Sequence, residues 1–249
     1  MATIIDFHTH LGSRSLPGAN WNVDELVRML DRYDVDRAVV MPWDDAPGQN
    51  PTANDEVAQA AYRFPDRIIG FARIHPKDGE RARVEFRRGI EELGLRGLKL
   101  HPLTTGARLD EPVGLDLVHM ASSYGVPVYY HSGDDPSTQP TMFELVLHEI
   151  PDATLILGHG GGFFFWRDAA ELAARYSNIY LSTPGSLSPM YLQKSIAIAG
   201  VGKILFGSDT PGMHLAVELA KIAALDLSEV DRRRILGENA RSLLQIAER

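Results

Sequence analysis

The feature that most constrains this chain is an eightfold alternation of a short β-branched apolar run, a loop, and an amphipathic stretch with helical periodicity. The apolar runs fall at residues 3–7, 37–41, 67–74, 97–100, 127–130, 153–157, 178–181 and 203–206. Helical patterns lie near residues 22–33, 52–64, 79–93, 113–124, 140–149, 165–176, 188–199 and 213–224. Near-continuous apolar strands separated by helices predict a parallel sheet buried on both faces, since each crossover helix covers one side. Eight such units in 249 residues fit a closed (β/α)8 TIM barrel, which typically takes about 250. An open doubly wound sheet is the competitor, but it usually carries a Gly-rich turn after its first strand, and here that turn reads His8-Thr9-His10-Leu11-Gly12. The barrel is the expected α/β fold, with residues 1–249 forming a single metal-dependent hydrolase barrel domain. Residues 228–247 supply C-terminal closing helices, with Ser228 or Asp231 as N-cap and a break at Leu236-Gly237.

Composition removes several function classes. Twenty-five basic against 33 acidic residues leave a formal charge of −8, and no Lys/Arg-rich run offers a path for a phosphate backbone, so no nucleic-acid partner is expected. The Arg232-Arg233-Arg234 cluster reads as a solvated helix face. Cysteine is absent, which excludes disulfides, thiolate metal sites and a cysteine nucleophile. Any metal must therefore be held by His, Asp or Glu. No apolar window suits a membrane span and no leader pattern opens the chain, so the expectation is a cytoplasmic protein without membrane partners.

Barrel enzymes build their sites at the C-terminal ends of the strands. Six of the nine histidines fall there: His8, His10, His75, His101, His131 and His159. Chance would place about one among eight strand ends. His8 and His10, two apart on an extended segment, share a face and suit two imidazoles on one divalent ion. His131, His159 and Asp209 follow the fifth, sixth and eighth runs, adding nitrogens and a carboxylate, a donor set that suits Zn2+, or Mn2+ or iron where oxygen predominates. His119, His148 and His214 fall in helical patterns and read as structural or surface residues. Around the expected mouth lie Trp43-Asp44-Asp45, Arg73, Asp134-Asp135 and Phe163-Phe164-Phe165-Trp166. The aromatics and Arg73 could bind a flat carboxylated or cyclic substrate, with the core face of the next helix as the alternative reading of the aromatic run. Gly160-Gly161-Gly162 lacks the Lys-Ser/Thr of a phosphate cradle and reads as a close backbone approach near His159.

In order along the chain stand Ile5-Asp6-Phe7-His8-Thr9-His10, Gly97-Leu98-Lys99-Leu100-His101-Pro102, Tyr130-His131-Ser132-Gly133, Gly158-His159-Gly160-Gly161, Gly207-Ser208-Asp209-Thr210-Pro211 and Ile235-Leu236-Gly237-Glu238-Asn239-Ala240. This set resembles the metal-dependent amidohydrolase superfamily, and within it the amidohydrolase-2-like branch that holds hydrolases together with nonoxidative decarboxylases such as aminocarboxymuconate-semialdehyde decarboxylase. The resemblance implies one divalent metal held by His8, His10, His131 and Asp209, with His159 catalytic beside it. Two-metal members use a carboxylated Lys or a Glu on the fourth strand; here Lys99 stands on that strand, and a mononuclear site is expected. Arg73, Lys99 and His101 are the candidate substrate-binding residues.

A cation held mostly by neutral imidazoles keeps its charge, lowers the pKa of bound water toward ~7 and polarises a carbonyl. Asp209 could move a proton while His159 steadies developing charge. The expectation placed first is a metal-dependent hydrolase of a small amide, lactone or ester-like substrate; the alternative is a nonoxidative decarboxylase of a small carboxylic acid. The second would be signalled by basic residues in the mouth, for which only Arg73 and Arg14 are candidates. A non-catalytic barrel should have lost a ligand or His159, and none is missing. The partner is a small molecule, and a homodimer is compatible with such a barrel.

Overall fold

The computed structural model describes residues 3–12, 21–43, 46–133, 138–185 and 188–247. Among the described residues nine parallel strands occupy the eight expected positions, because the third run is interrupted: β1 (Ile5–Leu11), β2 (Arg37–Pro42), β3 (Ile68–Gly70), β4 (Ala72–Arg73), β5 (Leu98–Leu100), β6 (Val128–His131), β7 (Leu155–Gly158), β8 (Ile179–Ser182) and β9 (Ile204–Leu205). β3 pairs with β2 and β4 with β5. Phe71 is the pivot between them, donating its N–H to Val40 O at 2.9 Å while the next N–H, of Ala72, turns to Gly97 O at 2.8 Å. The ring of strands closes where residues 206–210 meet β1: Phe7 N donates to Phe206 O (2.8 Å), Asp209 N to His8 O (2.7 Å) and His10 N to Thr210 O (2.8 Å). This is the (β/α)8 barrel, with helices between successive strands as the 3.6-residue periodicity predicts.

The helices are α1 (Val23–Arg32), α2 (Asn50–Arg63), α3 (Glu80–Glu91), α4 (Pro102–Thr105), α5 (Pro112–Ser123), α6 (Thr141–Glu149), α7 (Trp166–Arg175), α8 (Pro189–Ala199), α9 (Leu215–Ala223), α10 (Glu229–Arg233) and α11 (Asn239–Leu243). Local chemistry sets several of their starts. Asn22 caps α1 by accepting from Asp24 N and Glu25 N, and those two acids face the positive end of the helix dipole. Ser188 caps α8 ahead of Pro189, a residue whose fixed φ suits the first helical turn.

Strand alternation divides the apolar residues into two cores. Outward-facing Ala38, Val40, Leu98, Leu100, Leu155 and Leu157 pack against the helices, with Leu26, Leu30 and Phe86 among their partners. Inward-facing Ile5, Phe7, Val39, Met41, Phe71 and Ile156 fill the lower barrel, where Ala240 and Leu244 plug the base. Burying one such side chain contributes roughly 1.5–3 kcal/mol, so the interior is a packed core and not a pore.

Two sequence expectations are corrected here. Residues 8–11 lie within β1 and not in a turn, since Thr9, His10 and Leu11 pair in register with Val40, Met41 and Pro42 of β2. Leu236-Gly237 is not a break: residues 234–238 form a π-helical turn that joins α10 to α11. A Cβ on Gly237 would stand 2.0 Å from Thr3 O, so glycine lets this turn lie directly against the start of β1. Ser228 is the cap of α10, accepting from Asp231 N. Among the described residues no helix is long and apolar enough to cross a membrane.

Candidate active site

The site begins with a fault in β1. Asp6 pairs with Ala38 and Thr9 with Val40, so Phe7 and His8 together oppose Val39. This is a β-bulge, and it reverses the side-chain parity of the strand. Strict alternation from Ile5 would turn Phe7, Thr9 and Leu11 inward. Phe7 does pack in the barrel interior, but beyond it the parity is reversed: Leu11 joins the outer core, and His8 and His10 meet in the barrel mouth. Buried Asp6 staples the bulge, its Oδ1 accepting from His8 N (3.1 Å) and Ser208 N (2.8 Å). Burial raises its carboxyl to about 7.

His8 Nε2 and His10 Nε2 lie 2.9 Å apart, and Asp209 Oδ1 lies 3.3 Å from the first and 3.1 Å from the second. Donors bound about 2.1 Å from one ion stand roughly 3.0–3.4 Å from each other at octahedral to tetrahedral angles. The three donors therefore have the spacing and the chemistry to hold one divalent cation such as Zn2+ or Mn2+. Asp209 reaches them from a left-handed backbone (φ 58°), and His159 sits in the same sparsely populated region (φ 62°). Such conformations cost about 1–3 kcal/mol and persist where surrounding structure enforces them. Here the Asp209 N–H is tied to His8 O.

The remaining predicted residues stand around this cluster. His131, at the end of β6, lies outside the three-donor group; its Nδ1 is 3.1 Å from His159 Nε2, and its ring stacks on His101 at 4.0 Å between centroids. His159 Nδ1 donates to Pro184 O at 3.0 Å. A carbonyl can only accept, so this bond places the proton on Nδ1 and the lone pair on Nε2, facing the site. His8 Nδ1 lies 2.7 Å from the buried Tyr129 hydroxyl, which leaves Nε2 for the cation. Sequence reasoning missed Tyr129; its signal was an inward position on β6, two residues before His131.

His8, His10, His131, His159 and Asp209 line a cavity of about 220 Å3 together with Trp43, Arg73, Lys99, His101 and Thr104. Lys99 is fully buried, with Nζ 4.6 Å from the Tyr129 ring centroid, and it is not one of the three clustered donors. Arg73 donates from Nη1 to Pro42 O (2.9 Å) and Trp43 O (2.5 Å). Its backbone is held by Asn54, whose amide accepts from Arg73 N (2.9 Å) and donates to Arg73 O (3.3 Å), replacing a strand partner where β4 has left β2. Burial and then the Lys99 charge push His8 well below the usual imidazole range; burial likewise lowers His10 and His101. All three are neutral near pH 7, the form whose lone pair binds a cation. Burial pushes the Asp209 carboxyl up, but the His10 hydrogen bond, with the positive charge of Lys99, holds it below the usual carboxylate value.

Other candidates lie elsewhere. His75 is buried but does not line the cavity. The aromatic run is neither core nor site: Phe163 is 47% and Phe164 72% exposed, while Trp166 opens α7. A Cβ on Gly162 would stand 2.7 Å from Gly133 O, so the glycine turn lets two mouth loops cross in contact. His119 and His148 are exposed, and exposed His214 caps α9 through Nδ1. Arg14, Asp44, Asp45, Asp134 and Asp135 lie outside the described residues.

With the geometry in place, similarity to known proteins becomes informative. Gamma-resorcylate decarboxylase of Polaromonas sp. (strain JS666 / ATCC BAA-500) is 23% identical over 284 residues, covering 90% of this chain and 87% of the relative. 2-Amino-3-carboxymuconate-6-semialdehyde decarboxylase of Dictyostelium discoideum is 26% identical over 183 residues, covering 61% and 51%. The structure of dihydroxybenzoic acid decarboxylase from Polaromonas sp. JS666, with bound manganese and the inhibitor 2-nitroresorcinol, superimposes with a TM-score of 0.79 at 20% identity, covering 100% of this chain and 98% of that one. These relatives are decarboxylases, and that overturns the expectation of a hydrolase acting on an amide, lactone or ester-like bond in favour of the alternative reading. A family model described as Amidohydrolase matches residues 5–246. A match over nearly the whole chain shows that the protein belongs to the amidohydrolase family, as an enzyme of that superfamily.

Proposed function

We propose that the protein is a divalent-metal-dependent nonoxidative decarboxylase of a small aromatic carboxylic acid. The observation that carries this reading is one cavity that joins the His8–His10–Asp209 donor set to two cationic side chains, Arg73 and Lys99. The decarboxylase relatives support it. So does size, since an apolar cavity of about 150 Å3 accepts benzene, and about 220 Å3 leaves room for one substituted ring.

His8, His10 and Asp209 would hold the ion, and His131, outside that cluster, lines the same cavity beside His159. A bound Mn2+ or Zn2+ would polarise the oxygens of the substrate. Lys99 and Arg73 attract the carboxylate by charge, and Arg73 can do so through a planar fork. Trp43, which meets the His10 ring edge-on at 4.8 Å, walls one side of the cavity. Decarboxylation breaks the ring–carboxyl bond, leaves its electron pair on the ring carbon, and replaces carbon dioxide with a proton. His159 through Nε2, and Asp209 through the oxygen not engaged by the imidazoles, line the side from which that proton arrives.

The test uses the metal-loaded protein with a panel of hydroxybenzoates in D2O and, separately, in H2(18)O. The expected result is one carbon dioxide per turnover, one deuterium on the ring carbon, and no 18O in the aromatic product. Water addition without carbon dioxide would overturn the reading.

A further inference from the structure

We infer that Glu218 and Lys221 are positioning residues, a clamp on the Thr183–Gly185 loop that fixes which nitrogen of His159 faces the substrate. The two lie one turn apart on α9, pair with each other, and are only 5% and 8% exposed. They occupy the face that also buries Leu215 and Ile222. Removing two charges from water costs several kcal/mol per ion, and apolar residues at such positions are often at least as stable. A charged pair there calls for a task.

The task is visible in three consecutive residues. Lys221 Nζ donates to Thr183 O at 2.9 Å, and the Gly185 backbone N–H donates to the Glu218 carboxylate. Between these two anchors lies Pro184 O, the acceptor for His159 Nδ1. Thr183 is further held by Leu205 O through its N–H (3.0 Å), and its Oγ1 accepts from Gly207 N (3.1 Å). The Gly185 N–H lies in the same peptide plane as Pro184 O, and Thr183 O lies in the plane before it; with both planes tied, the Pro184 carbonyl cannot swing away. The His159 proton therefore stays on Nδ1, and Nε2 presents its lone pair to the cavity. Without the clamp the carbonyl rotates and both tautomers become accessible.

This inference rests on the proposed role of His159 in proton transfer, and the experiment separates the two. Zinc-loaded protein carrying 15N-histidine is compared with Lys221→Met and with the exchanged pair Glu218→Lys/Lys221→Glu. The exchange keeps the buried charges but sets a donor against Gly185 N–H and an acceptor against Thr183 O. In both variants the His159 Nδ1–H resonance, identified by its loss in His159→Asn, should broaden or vanish. The kcat should fall about 10- to 100-fold, as for other partners that orient a site imidazole, with KM and zinc content nearly unchanged. In the His159→Asn background, Lys221→Met should add nothing. An intact His159 resonance with unchanged kcat in the folded variants overturns the clamp. So does a full-sized loss that persists in the His159→Asn background, which would mark a purely structural ion pair. If His159→Asn alone leaves kcat unchanged, the role of His159 falls while the resonance still decides the clamp. Should Lys221→Met fail to fold, the exchanged pair carries the same test.

Discussion

Up to the first residue of its bulge β1 gives Ile5 and Phe7 to an interior shared with Val39, Met41, Phe71 and Ile156; from the second residue on, the same strand gives His8 and His10 to a cavity shared with Asp209, Lys99 and His159. The lower region is held by non-directional apolar burial, and any well-packed hydrophobe of the right volume would serve. The upper region buries imidazoles, a lysine and a carboxylate, groups that desolvation penalises unless each finds a partner of the right geometry. The lower barrel therefore supplies the stability that lets the mouth hold left-handed backbone and neutral, closely spaced histidines. The bulge allows one seven-residue strand to do both.

Four substitutions or conditions test this division, beginning with the largest effect. His10→Ala should reduce bound metal from about one equivalent to near zero and abolish activity while leaving the circular-dichroism spectrum intact; retained metal would contradict the ligand assignment. Phe7→Ala, at the inward-packed first residue of the bulge, should behave in the opposite way, costing about 3–5 kcal/mol in urea unfolding through the cavity it leaves. A loss under about 1 kcal/mol would mean that the interior is not the stabilising half. His159→Asn should lower turnover by about 10²-fold or more with metal content unchanged, as expected for loss of a proton-transfer group. Equal metal and equal turnover would remove His159 from the reaction.

The smallest effect is on pH. His8, His10 and His101 have folded-state pKa values below the ordinary imidazole value of 6.5, so below that pH the unfolded chain binds more protons than the folded one. Each such imidazole makes metal-free stability fall with decreasing pH by up to ~1.4 kcal/mol per unit. Asp6, raised to about 7, acts in the opposite sense, because the folded state then holds the extra proton between the two carboxyl values. Glu218, its carboxyl also raised by burial, acts in the same sense as Asp6, and three imidazoles against two carboxyls predict a net loss of stability from pH 7 to pH 5. Urea midpoints that are flat or rising over that range would contradict the burial of neutral imidazoles in the mouth.

Much of this was legible in the chain because barrel units are local. The eight apolar runs lie within a few residues of the strands, and the cap at Asn22 follows from a short polar side chain placed before an amphipathic stretch. The errors have identifiable physical causes. Phe71 breaks the third strand because the ladder must change partner from β2 to β5, a fact of pairing that residues 67–74 do not encode. Gly237 resembles a helix stop, yet it is required by contact with Thr3, more than 230 positions away in sequence. The exposed aromatic run was legible as a cluster but not in its direction. Glu218 and Lys221 left a readable sign, two charges on the apolar stripe of a helix, that only the loop they hold explains.

The sequence by itself determined the barrel, the residue types at its mouth, the need for a metal site without cysteine, and the family. These rest on periodicity and on chemistry carried by single side chains. Tertiary structure alone decided how His8 and His10 come to face the mouth, through a bulge opposite Val39, and how closely Asp209 approaches them from the far end of the chain. It also set His131 beside His159 and not within the three-donor cluster, and fixed the His159 tautomer through Pro184. The reason is that a donor set is a matter of ångströms among residues 8, 10 and 209, and such distances exist only once the strands have closed into a ring.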